Sequence, residues 1–423
     1  MIKVIWKITF VIAIILFIGT SILFVCLSGC HKNDVIELHF RITWEEHSGR
    51  GEAVQLLVDA YNDVHDDVHV TLIGGDEDRE AYTVALDEDY VDIYVMPYRY
   101  IQDLQLSIDL FPLTDAFENE KQYYYDSIIQ LAMEKDDLLG IPWIGHSMAL
   151  IYNKNLVTRA SVDPEGWASM DDLLDGCMAV EEKTHAAGIG LVGAKHHDLT
   201  WMVSQFIYSF GGSLVTVDSD TGQESISINS EQSIEALEFY INKLGIYAQE
   251  GWQEDTGVEV MEAFGTSRVA FEIQGPWGIS DIWKRGNPFE VGVIPLSQLN
   301  MYSEVGPLML SISKDSPYKD EAIDFIRYMI EIENLDKIME GEYIPKYDAY
   351  YPFRVPVRKD MENSDFFKQY PEFYAFIEGF EMPSINTPSE EWAEIQDSTY
   401  PYYIHQAIIR NMIIEDALKE IEE

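Results

Sequence analysis

Ala263-Phe264-Gly265-Thr266-Ser267-Arg268-Val269-Ala270-Phe271-Glu272-Ile273-Gln274-Gly275-Pro276-Trp277-Gly278-Ile279-Ser280-Asp281-Ile282-Trp283 is the stretch whose reading decides the fold. It compresses a helix end, a short strand, a turn and a second helix start into one run. Arg268 to Ile273 has a strand-like pattern of small and apolar residues, and Gly275-Pro276 stops it. Trp277 is left at the tip. Gly278 removes bulk behind it, while Ser280 and Asp281 read as N-cap and first-turn acid of the next helix. A strand end, a turn and a helix start together form the usual ligand-holding corner of an α/β protein, and an aromatic plate there suggests stacking.

Outward from this corner the chain alternates strand and helix. Val35 to Thr43 reads as a strand, Trp44 to Gly49 as a loop, and Val54, Leu57, Val58 and Tyr61 as one face of a helix. Val68 to Ile73 and Asp92 to Met96 read as further strands, the latter ended by Pro97. This rhythm predicts a parallel sheet with right-handed crossovers. Gly140 to Val157 carries an apolar, β-prone Met148–Tyr152 run ended by Asn153 and Lys154. Further on, Asn229 is expected to cap a helix striped by Ile234, Leu237, Tyr240, Ile241 and Leu244.

With 423 residues the chain can build two domains with sizeable cores. Its 28 Lys and Arg face 74 Asp and Glu, a net charge of -46, which would be repelled by phosphate backbones, so nucleic acid is excluded as a partner. At the N-terminus Lys3 and Lys7 precede an apolar run from Ile8 to Val25 and then Leu27-Ser28-Gly29-Cys30. That pattern resembles a lipoprotein signal, residues 1–29, and implies cleavage before Cys30 and lipidation of that cysteine. An uncleaved membrane anchor is the alternative. In either case the remainder lies outside the cytoplasm. Cys177 is then the one other cysteine of the mature chain, so no internal disulfide is expected.

Several constellations suggest catalysis or metal and are weighed down by their spacing. Gly145-His146-Ser147-Met148-Ala149 nearly spells a nucleophile elbow, yet the strand follows the serine where the elbow needs a helix. A surface-anchored hydrolase or esterase using Ser147 is therefore the runner-up. His196-His197-Asp198 supplies metal-binding residue types, but adjacent residues point in different directions, and the cluster is read as a ligand-facing polar loop or plain surface. Asp218 to Gly222 lacks the spacing of a calcium loop. No catalytic residue, metal or cofactor is expected.

Phe264, Gly265, Arg268, Ala270 and Gly275-Pro276-Trp277-Gly278 resemble a segment of the family 1 extracellular solute-binding proteins of ABC importers, which include the maltose- and oligosaccharide-binding proteins. Gly140-Ile141-Pro142 with Tyr152-Asn153-Lys154, Trp167 with Asp171-Asp172-Leu173-Leu174, and Pro356-Val357-Arg358-Lys359-Asp360 resemble further segments of that family, in the same order. The resemblance implies an α/β, two-lobed, periplasmic-binding-protein-like fold of type II, each lobe a sheet flanked by helices. It divides the chain into lobe 1, residues 30–145 plus 293–340, and lobe 2, residues 146–292 plus 341–423, with a hinge near Trp143 to Ser147. It implies a carbohydrate ligand, neutral and of mono- or oligosaccharide size, in the cleft between lobes. Its implied partners are ABC permease transmembrane subunits with a separate ATPase, for a monomer anchored by lipid in the outer leaflet of the membrane. A sensor or scaffold lipoprotein that no longer transports would use the same cleft. The ligand-binding candidates are Trp44, Glu45, Glu46, Tyr98, Arg99, Trp143, His146, Trp201, Trp277 and Trp392. Tyr98-Arg99 and His146 depart from the maltose-type pattern, which leaves the sugar open.

Overall fold

The computed structural model describes residues 35–76, 79–86, 91–101, 109–217, 223–384 and 390–423. The lipoprotein signal, Cys30 and the Asp218 to Gly222 turn lie outside the described residues. The principal strands are β1 (Ile36–Arg41), β2 (Val68–Ile73), β3 (Ile93–Pro97), β4 (Ile141–Pro142), β5 (Ile144–Gly145), β6 (Ala149–Asn153), β7 (Ala187–Gly190), β8 (Val269–Gln274), β9 (Val291–Pro295), β10 (Leu308–Ile312) and β11 (Val355–Pro356). They form two main sheets. The first runs β2-β1-β3-β10-β4 and the second β9-β6-β8-β7.

Within the first sheet β1 pairs in parallel with β2 and β3, as the strand-helix-strand rhythm predicts. β10 then enters antiparallel to β3, because it arrives from the other lobe and not through a crossover helix. Helix α1 (Gly49–Asn62) covers this sheet with Val54, Leu57, Val58 and Tyr61 buried, and Ser48 caps it by accepting from the Gly51 amide at 3.1 Å. In the second sheet β6 lies antiparallel to both β8 and β9, and β8 runs parallel to β7. Two apolar cores result: one holds Phe40, Ile93 and Leu310, the other Leu150, Phe206, Tyr240 and Phe271.

Three strands tie the halves together. The central one is residues 143–148. On one side Trp143 donates its amide to Leu308 O at 2.9 Å, Gly306 donates to His146 O at 2.9 Å, and Met148 donates to Glu304 O at 3.1 Å. On the other side β5 pairs antiparallel with β11, and the Val357 amide donates to Trp143 O at 3.0 Å. The three segments run side by side near Ser147.

The expected return boundaries shift. β9 belongs wholly to the second sheet, so the chain goes back after Pro295 rather than at Val293. Phe353, Val355, Met361, Phe373 and Phe380 pack into the first core, whereas Trp392 and Tyr400 to Ile421 pack into the second. The 341–423 tail is thus shared between lobes. Its crowded Phe, Tyr and Pro residues have no period that says which core they fill.

Two helix starts also differ from expectation. Ser230, not Asn229, caps the helix Glu231–Leu237, with its hydroxyl accepting from the Ser233 amide at 3.1 Å. The helix after the Gly275-Pro276 turn begins at Trp277 itself, so Ser280 lies inside it and not at its cap. Ser280 is buried and donates its hydroxyl to Pro352 O at 2.6 Å. The hydroxyl finds an acceptor on the neighbouring tail segment, which the local sequence does not reveal.

Candidate functional site

Two further helices frame a cavity that touches both lobes: α2 (His197–Ser209) and α3 (Gly257–Gly265), followed after β8 by α4 (Trp277–Lys284). With the crossing strands they enclose a cavity of about 420 Å³, within the usual range for a small-molecule site. Tyr98, Arg99, Pro307 and Leu308 line it from the first lobe's side, and Trp201, Gln205, Gln274 and Trp277 from the second's.

Trp277 owes its pose to Gln274 and Gly275. Its indole N–H donates to the Gln274 side-chain oxygen at 2.8 Å, and the same oxygen accepts the Gly275 amide at 3.2 Å. A Cβ on Gly275 would lie 2.4 Å from the indole ring, so only glycine lets the ring fold back over the turn. Gly275→Ala is accordingly expected to displace the indole and weaken ligand binding, while the melting temperature changes little. Calorimetric titration beside a thermal melt checks this, and unchanged affinity would count against the pose.

The ring is then braced on two sides. The Arg354 guanidinium stands 5.5 Å from its centroid, and the His146 imidazole meets it edge-on at 5.2 Å. His146 in turn shares a hydrogen bond of 3.0 Å, through Nε2, with Glu304 Oε2. A carboxylate at that distance favours the tautomer with its proton on Nε2. Glu304 is held by the Gln205 side-chain oxygen, which accepts its amide at 3.1 Å. Gly306 gives the imidazole room, since a Cβ there would lie 2.1 Å from its Cε1. His146 and Glu304 sit on adjacent crossing strands, so this pair belongs to both the wall and the bend. Tyr98 follows directly after β3, its amide donating to Pro307 O at 3.2 Å. Burial, with the Glu304 charge nearby, pushes its phenol above the ordinary tyrosine range.

The structure brings together five of the ten sequence candidates, Tyr98, Arg99, His146, Trp201 and Trp277. The other five stand elsewhere. Trp143 is fully buried in the first core, edge-on to Phe40 at 6.5 Å, and Trp392 is buried in the second against Tyr400. Burial, which their position in the chain does not reveal, decides their role. Trp44 packs on Phe353 at 5.3 Å. Glu45 and Glu46 face a separate hollow with Arg41, Asp76 and Glu80. Sequence reading missed Gln205, Gln274, Glu304 and Arg354. Gln274 and Gln205 were within reach, the first as the last strand residue before the Gly-Pro-Trp turn and the second one helical turn after Trp201; Glu304 and Arg354 arrive from distant segments.

Ser147 is not a nucleophile in waiting. It is fully buried, and its hydroxyl donates to Phe376 O at 2.7 Å. His196 and His197 do not point apart as expected: their rings lie 3.8 Å apart, both against Asp198. The extended backbone of His196 at the N-cap turns its ring back onto the first helical turn.

Two lobes, a ribbon of crossing strands and a walled cavity between them define a ligand-binding protein. Residues 57–375 match the family model of the bacterial extracellular solute-binding proteins, and the chain belongs to that family. It acts outside the cytoplasm as a binding protein and not as an enzyme. Among characterised relatives it is 21% identical over 340 residues to the melibiose/raffinose/stachyose-binding protein MelE of Bacillus subtilis, covering 74% of this chain and 76% of that one. Its fold is similar to that of the sugar-binding protein MalE from Xanthomonas citri, with a TM-score of 0.75 and 18% identity over 91% of this chain and 95% of the other. It is also similar to the cyclic α-maltosyl-1,6-maltose-binding protein of Arthrobacter globiformis, with a TM-score of 0.72 and 17% identity over 92% and 97%. Among the described residues no helix is long and apolar enough to cross a membrane.

Proposed function

We propose that the protein is the carbohydrate-binding lipoprotein of an ABC importer, tethered through Cys30 to the outer face of the membrane and handing its sugar to permease subunits powered by a separate ATPase. The observation that supports the sugar most is the presentation of Trp277, an indole locked by Gln274 and Gly275 on a cavity wall that also carries His146, Glu304, Gln205 and Arg354. A pyranose has apolar C–H faces and a rim of hydroxyls. An aromatic plate covers the first and charged or amide groups bond the second. The relatives named above bind melibiose, raffinose and stachyose, or cyclic α-maltosyl-1,6-maltose, by name, which sets the panel to try.

Contacts made to both lobes exist only when the cleft is closed, so a ligand draws the molecule toward that form by its differential affinity. Inverting a one to ninety-nine ratio takes roughly 5.5 kcal/mol of such contact. One stacked ring with two or three charge-assisted hydrogen bonds is of that order. The test is a thermal-shift screen of melibiose, raffinose, stachyose, maltose and longer maltodextrins. A hit raises the melting temperature by mass action, and a panel flat at millimolar sugar would sink the carbohydrate reading.

A further inference from the structure

The rim of the same cavity carries a side-chain cluster to which the carbohydrate reading gives no role. His196 Nδ1 lies 3.2 Å from one oxygen of Asp198, and His197 Nε2 lies 3.2 Å from the other. One ligand atom from each of the three residues can be chosen so that all lie within 4.8 Å of one another. We propose that these residues hold a divalent first-row transition cation, Zn²⁺ or Ni²⁺, at the mouth of the cavity.

Ligand chemistry selects that class of ion. Two imidazoles and one carboxylate suit Zn²⁺ and Ni²⁺, whereas Ca²⁺ and Mg²⁺ take oxygen ligands. The spacing agrees with it. Bonds of about 2.0–2.1 Å at tetrahedral angles place neighbouring ligand atoms roughly 3.3 Å apart; each imidazole nitrogen meets a different Asp198 oxygen at 3.2 Å, and small side-chain rotations would draw one atom of each residue, now within 4.8 Å of one another, onto a single ion. Consecutive residues can converge because one offers Nδ1 and the other Nε2; His196 Nδ1 accepts the Asp198 amide at 3.4 Å as the N-cap of α2, and the cation would displace that long bond. Asp198 is oriented from outside the cluster by the Gly257 amide, which donates to its Oδ2 at 2.9 Å, the kind of support that fixes a metal-binding carboxylate.

The start of a helix is electropositive, which works against a cation; the Asp198 carboxylate in the first turn offsets it. Access is open, with the side chains of His196 and His197 43% and 54% exposed. Three protein ligands leave a position free, and since His197 and Asp198 line the cavity, that position lies where a bound molecule can reach it. The proposal stands apart from the carbohydrate reading, and either can fail alone.

The test is calorimetric titration of the mature chain with Zn²⁺ and Ni²⁺ in about 150 mM salt, which screens loose condensation on the acidic surface. Ca²⁺ serves as the control for that condensation. One Zn²⁺ per chain is expected, weakened at least about tenfold by His197→Ala and unaffected by Trp277→Ala. His197 is more than half exposed, so its truncation leaves the core intact, and a circular-dichroism melt verifies this. Co²⁺ in place of Zn²⁺ should give visible absorption that His197→Ala removes. Absence of Zn²⁺ binding overturns the proposal, as does binding that Ca²⁺ matches or that His197→Ala leaves unchanged.

Discussion

Trp277→Ala is expected to cost about 2–4 kcal/mol of affinity for whichever sugar the panel identifies, roughly a 30- to 1,000-fold rise in Kd, with the fold intact. The indole is half-buried, opens α4 and fills no core. Alanine at that position favours the helix slightly, so the melting temperature of the empty protein should hold. Trp143→Ala provides the contrast. That ring is fully buried against Phe40, and truncating it should cost about 3–5 kcal/mol of stability through lost contacts and a cavity. Titration and urea unfolding of both variants separate the two roles. If Trp277→Ala binds as tightly as the parent, the stacking plate is misassigned.

Glu272→Gln is expected to stabilise the protein above neutral pH, by about 1.4 kcal/mol for each pH unit over which the unfolded chain has lost the proton and the folded chain keeps it. Glu272 lies on β8, 1% exposed, and neither carboxylate oxygen has a hydrogen-bond partner among the described residues. Burial pushes its pKa well above the usual carboxylate range and the Asp281 charge adds to this, while Arg285 opposes it. Arg285 is itself engaged by Asp281 at 2.6 Å and Glu262 at 2.7 Å, so it does little to neutralise Glu272. The folded chain therefore keeps this proton at pH values where the unfolded chain has lost it. Stability from this group falls as pH rises from the ordinary glutamate value of about 4.3 toward the raised folded value. The glutamine variant has no such loss, so the gap between the two proteins should be small near pH 5 and wide at pH 8. Urea unfolding at both values checks the sign, and a gap independent of pH would show that ionisation is not the cause.

These outcomes also mark how far the sequence carries. Strands β1, β2 and β3, helix α1 and the Gly-Pro-Trp corner are legible because their signals are local: alternation, a 3.6-residue stripe, and glycine and proline as punctuation. Trp277 is legible for the same reason, since its bracing glycine and glutamine are its own neighbours. Trp143 and Trp392 look alike on paper, and only tertiary burial sends them into cores. Glu304 and Arg354 reach His146 and Trp277 across long stretches of chain, and nothing near either residue announces it. The split of the tail between two cores was hidden for the same reason.

The three-stranded ribbon through residues 143–148, 303–308 and 355–357 has a mechanical consequence. A single tether lets two bodies swivel about any axis, as a ball in a socket does. Side-by-side tethers cross-linked by backbone hydrogen bonds resist twisting and sideways slip, leaving one soft coordinate, a fold along the line that crosses all three. The His146–Glu304 contact bridges two of those tethers, so the same pair that walls the cavity also stands on the crease.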